Sequence, residues 1–91
     1  MPQLKRSIVV KGKVQGVFFR ASTVTKAHEL KLEGWVKNLP TGEVEIFAYG
    51  PEDAMISLIA WCHHGSKYSK VSKVLVSESN EEIPKDFKII Y

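Results

Sequence analysis

A change of hydrophobic period that occurs twice is what most restricts the folds open to this chain. Ile8, Val10, Gly12 and Val14 alternate with Ser7, Val9, Lys11 and Lys13, a period of two with one mostly apolar face, which predicts a strand. Past Arg20 the repeat lengthens. Val24, Ala27 and Leu30 recur at helical spacing while Lys26, Glu29 and Lys31 fall on other faces. Residues 35–38 and 43–49 read as two more strands. Leu39-Pro40-Thr41-Gly42 joins them into a hairpin, with proline presetting one dihedral and glycine accepting a positive one.

The second switch follows at once. Gly50 and Pro51 stand where a helix starts, Glu52 and Asp53 fill its first turn, His63 and His64 its last, and Gly65 follows. Met55, Leu58, Ile59 and Cys62 form its apolar stripe. Residues 71–77 then give a strand through Val71, Val74 and Val76, residues 78–85 a polar connector, and residues 87–91 a short strand after Pro84. The order strand, helix, strand, strand, helix, strand, with a small strand appended, predicts an α+β fold. Its two split strand-helix-strand units form an antiparallel sheet with both helices on one face, the ferredoxin-like sandwich.

The 91 residues suffice for one core and one domain, 1–91. Apolar residues at 44% and charged residues at 25% match a soluble globular domain. No apolar run nears the roughly 20 residues needed to cross a bilayer, and Lys5 and Arg6 precede no uninterrupted apolar stretch, so the expected location is the cytoplasm, away from membranes. Cys62 is the only cysteine, which excludes an internal disulfide. A net charge of +3 is small for a sequence-independent nucleic-acid binder but sufficient to draw in a small anion.

Two motifs point to such an anion. Gly12-Lys13-Val14-Gln15-Gly16-Val17-Phe18-Phe19-Arg20 carries the first strand into a glycine turn that ends on an arginine. Backbone N–H groups of a tight glycine loop make a concave anion site, and a guanidinium matches two phosphate oxygens. Downstream, Gly34-Trp35-Val36-Lys37-Asn38 precedes Leu39-Pro40-Thr41-Gly42 and Glu43-Val44, with Gly50 after five more residues. Together these resemble the two sequence signatures of the acylphosphatase family, without a gap, from Gly12 to Gly50.

The resemblance implies a hydrolase that cleaves the mixed anhydride between a carboxylic acid and phosphate. It assigns phosphate binding to Arg20 and positioning of the attacking water to Asn38. The phosphate loop is then Gln15, Gly16, Val17, Phe18, Phe19 and Arg20, its N–H groups aimed at the oxygens and helped by the positive end of the helix that starts near Arg20. Carboxylate leaves readily, so the expected enzyme needs no metal and no cofactor. Its partners are a small acyl phosphate and inorganic phosphate, the latter as product and inhibitor, and it acts as a monomer. Gly12 reads as a packing or bulge position, whereas Gly16 lets the backbone approach an anion.

Two residues depart from the family pattern. Lys31, in Leu30-Lys31-Leu32, stands where relatives commonly have glycine at a helix end, and a left-handed conformation there costs a lysine about 1 kcal/mol. Phe18 fills a variable position often held by smaller residues, so its ring is placed to line or narrow the acyl pocket.

Other residues have plainer readings. His63 and His64 are adjacent, project in different directions and have no metal ligand at suitable spacing, so they read as helix-end residues. Cys62 reads as a small core hydrophobe, Trp35, Trp61, Phe47 and Tyr49 as core or sheet-face aromatics, and Lys67, Lys70 and Lys73 as a solvated face. A small RNA-binding domain of the RRM type shares this element order, but its basic, aromatic strand corresponds here to Glu-Val-Glu-Ile-Phe-Ala-Tyr, whose carboxylates would repel phosphate. A phosphate-binding or interaction module without catalysis is the remaining alternative.

Overall fold

The computed structural model describes residues 2–91. Its elements are β1 (Gln3–Lys13), α1 (Phe19–Glu29), β2 (Glu33–Asn38), β3 (Val44–Pro51), α2 (Glu52–His64), β4 (Lys70–Glu78) and β5 (Phe87–Ile89). They form one sheet in the order β4-β1-β3-β2-β5. The four long strands pair antiparallel, as the ferredoxin-like reading requires, while β5 adds to β2 in parallel, matching Gly34 with Phe87 and Val36 with Ile89. Helix α1 packs over β2 and β5, and α2 over β1, β3 and β4.

The core lies between this helical layer and the sheet. Ile8, Val10, Val36, Val44, Ile46 and Ala48 supply the sheet side, and Ala27, Met55, Leu58 and Cys62 the helix side, all buried. On α2, Met55, Leu58 and Cys62 are buried as the period demands, with Ala54 beside them and Ile59 half-buried at the margin. The stripe of α1 is rotated from the expected one: Phe19, Thr23 and Ala27 are buried, and Val24 and Leu30 pack at the edge. A hydroxyl can face the core here because Thr23 Oγ1 donates to the Phe19 carbonyl at 2.8 Å, which leaves its methyl to pack.

A bulge explains the spacing in β4, where Val71 and Val74 are three residues apart yet share a face. Lys73 pairs with Lys11 and Val71 with Gly12, so Ser72 is the extra residue. Gly12 has φ 127°, and a side chain there would run into the Lys70 carbonyl and the Ser72 nitrogen. Its reading as a bulge position holds.

At the far end of α1, Lys31 adopts φ 59°. Leu32 N donates to Ala27 O at 2.9 Å and Lys31 N to His28 O at 3.1 Å, the paired bonds of a Schellman cap, with Leu32 and Ala27 both buried. A lysine thus holds the left-handed position.

Candidate functional site

The strand-to-helix switch after β1 builds the first half of the site. Gly16 has φ 72° and Phe18 φ 60°, with Val17 between them outside the left-handed region. Alternating handedness turns successive N–H groups toward one side, the geometry of an anion-binding nest. Among the described residues, no turn or loop bond takes up the N–H groups of residues 15–20, and those of Phe19 and Arg20 also belong to the first turn of α1, which has no intrahelical acceptor for them. Phe18 precedes α1 without a side-chain cap, so that helix end is open to an anion.

The loop is pinned on both flanks. Buried Ser66, just past α2, donates Oγ to the Val17 carbonyl at 2.9 Å. On the other flank, Gln15 Nε2 donates to the carbonyls of Leu39 and Glu43, each at 2.8 Å. Beneath the loop, the Phe19 ring is buried against Trp61 with centroids 5.3 Å apart.

Strand β2 supplies the second half. Asn38 is its last residue, paired with Val44 at the mouth of the hairpin, and the turn is closed by Leu39 N to Glu43 O at 2.8 Å and Gly42 N to Leu39 O at 3.1 Å. Glu43 strengthens this corner. The Thr41 hydroxyl at 2.7 Å, and after it Lys11 at 3.1 Å, hold the Glu43 carboxyl below the usual carboxylate range.

Arg20 and Asn38, 18 positions apart in sequence, meet in one cleft of about 340 Å³ that is also lined by Val14, Gly16, Phe18, Ile89 and Tyr91. The Asn38 carboxamide oxygen is buried and has no hydrogen-bond partner among the described residues. No ion pair among those residues engages Arg20; its guanidinium lies 5.2 Å from the centroid of the Tyr91 ring. Tyr91 as a residue is 97% exposed, so the contact is at the weak end of cation–π attraction, about 0.5–1 kcal/mol.

Of the residues expected at the site, Gly16, Phe18, Phe19, Arg20 and Asn38 line the cleft, while Gln15 and Val17 stand behind it in the loop. Phe18 is 78% exposed at the rim. Sequence reasoning missed Ile89 and Tyr91, which the parallel pairing of β5 with β2 brings alongside; no local pattern marks them. It also missed the side-chain bonds of Gln15 and Ser66. The remaining candidates fall elsewhere. His63 and His64 end α2, Cys62 is buried in the core with its thiol pushed up to about 12 by desolvation, and Phe47 is fully buried against Trp35, so the open sheet face offers no Phe47 platform for a base. No helix among the described residues is long and apolar enough to cross a membrane.

The fold is thus a split strand-helix-strand sandwich with a left-handed loop, Arg20 and Asn38 around one cleft. The acylphosphatase family model matches residues 6–89, and the chain belongs to that family. An acylphosphatase of Haloquadratum walsbyi is 52% identical over 75 residues, covering 82% of this chain and 81% of that protein. Among solved structures, an acylphosphatase from Coxiella burnetii superposes with a TM-score of 0.92 at 43% identity, covering 97% of this chain and 93% of that one. The acylphosphatase from Bacillus subtilis gives 0.89 at 43% identity over 97% and 99% of the two chains. The chain is accordingly a hydrolase of the acylphosphatase type, with small acyl phosphates as its substrate class.

Proposed function

We propose that this cleft hydrolyses acyl phosphates by in-line attack of a water held by Asn38 on a phosphoryl group held by Arg20 and the N–H groups of residues 15–20. The observation that carries the reading is that the Asn38 carboxamide lines the same cleft as Arg20 and the left-handed loop. An amide oxygen so placed accepts one hydrogen of a water and thereby fixes the direction of its lone pair.

The water oxygen bonds to phosphorus as the bond from phosphorus to the acyl oxygen breaks. The electron pair departs with the carboxylate, and the water's proton passes to a non-bridging phosphate oxygen, so the substrate serves as its own base. Charge on the transferring phosphoryl group is met by the guanidinium and the fixed backbone donors, which need no reorganisation. The acyl group lies toward the rim, along Phe18, Ile89 and Tyr91. Inorganic phosphate occupies the same loop as product and inhibits. The reading further takes the protein to be a cytoplasmic monomer that needs no metal or cofactor.

Benzoyl phosphate hydrolysis in excess chelator, with Arg20→Ala as the paired control, tests it. Rapid turnover is expected from the wild type. Removing one preorganised donor to a developing anion lowers turnover on the order of 100- to 1000-fold, and loss of the whole guanidinium reaches at least that. A folded wild type without turnover would leave a phosphate-binding or interaction module as the better reading.

A further inference from the structure

We infer that Gln15 is a positioning residue for the reaction: its side-chain amide ties the phosphate loop to the β2–β3 turn and so sets where Asn38 stands relative to the bound phosphoryl group. This rests on the reading of Asn38 as the residue that orients water. Gln15 immediately precedes Gly16, yet its side chain turns away from the cleft to the hairpin that carries Asn38.

Both hydrogens of the Gln15 amide are committed, to Leu39 O and Glu43 O at 2.8 Å each. Because both partners are carbonyls, only the NH2 group can face them, which fixes the orientation of the amide. These carbonyls belong to the two ends of the turn: Leu39 directly follows Asn38, and Glu43 accepts the closing bond from Leu39 N. One amide therefore spans the mouth of the hairpin and fastens it to the strand-to-helix loop. The Asn38 side-chain oxygen has no partner of its own among the described residues, so the turn that carries Asn38 sets its place. The residues that contact phosphate and the residue that holds water lie on separate elements, and the Gln15 amide bridges them directly.

The distinction between positioning and mere stability can be measured. Gln15→Met keeps the length and flexibility of the side chain but has no donor. It is expected to lower kcat about 10- to 100-fold, the scale of a misplacement near 1 Å, with the inhibition constant for inorganic phosphate unchanged within about twofold. In an Asn38→Ala background the same change is expected to lower kcat less than about threefold, because the group it positions is gone. Gln15→Leu, which has a branched apolar side chain and adds neither donor nor charge, is the second variant and should behave alike. Independent multiplication of the two losses would overturn the tether while leaving Asn38 in its role, as would phosphate inhibition that weakens in step with kcat. Wild-type kcat in Asn38→Ala would instead remove the reading of Asn38 and the tether with it. Loss of the fold in both Gln15 variants would make it a stability residue and also overturn the inference.

Discussion

Replacing Lys31 by glycine should stabilise the protein without touching its chemistry. Lys31 is exposed and holds φ 59° at the position after the α1 C-cap, where its Cβ presses on the backbone. A non-glycine residue in this conformation costs about 1–2 kcal/mol. Glycine relieves that strain but loses about 0.5–1 kcal/mol more backbone entropy on folding, which leaves a net gain of about 0.5–1 kcal/mol. In a domain of this size each kcal/mol moves the midpoint by about 4–8 °C, so Tm should rise by about 2–8 °C. The cap bonds from Leu32 N and Lys31 N are backbone bonds and survive the change. Lys31→Ala is the control, because it removes the charge near the helix C-terminus and keeps the Cβ; it should gain nothing. Thermal unfolding by circular dichroism measures both, and kcat should stay constant, since α1 separates Lys31 from the cleft by about 16 Å at 1.5 Å per residue. Glycine no more stable than alanine would refute the claim that the lysine is strained there.

Three further changes follow from the same structure. The Glu43 carboxyl is held below its ordinary value of 4.5, so its contribution to stability is complete above that value and is lost as pH falls below it; Glu43→Gln should flatten the acid limb of a stability profile below about pH 4.5. The Cys62 thiol is fully buried and raised to about 12 by that burial, so a disulfide reagent should leave the folded protein unlabelled and react at once in denaturant. Phe18→Gly removes an exposed ring from the cleft rim and a strained φ of 60°; the ratio of kcat/KM for benzoyl over acetyl phosphate should drop about 3- to 10-fold with stability unchanged or higher, and an unchanged ratio would detach Phe18 from the acyl group.

What was legible in the sequence follows from how far apart the interacting groups are. The alternation through Ile8 and Val10 and the helix entry at Pro51 are read from neighbours in the chain, because strand and helix periods and turn chemistry are local, whereas Arg20 and Asn38 stand out through the resemblance of their motifs to a known family. Lys31 stands out on the same ground: the family pattern commonly has glycine at that helix end, so a lysine there implies a left-handed strain. Thr23 was passed over since its hydroxyl argues for solvent until the Phe19 carbonyl is seen to accept it. Val71, Val74 and Val76 fit no single strand period until Ser72 is recognised as a bulge opposite Gly12. Tyr91 enters the cleft only through the parallel register of β5 on β2. The side chains that fix the site, as distinct from those that line it, act over the longest separations: Gln15 reaches 24 and 28 residues ahead, and Ser66 reaches 49 back. A motif can therefore name the groups that meet the substrate, but the precision of their meeting depends on bonds with no local signature, and the Gln15 cycle is where that precision becomes a measurable rate.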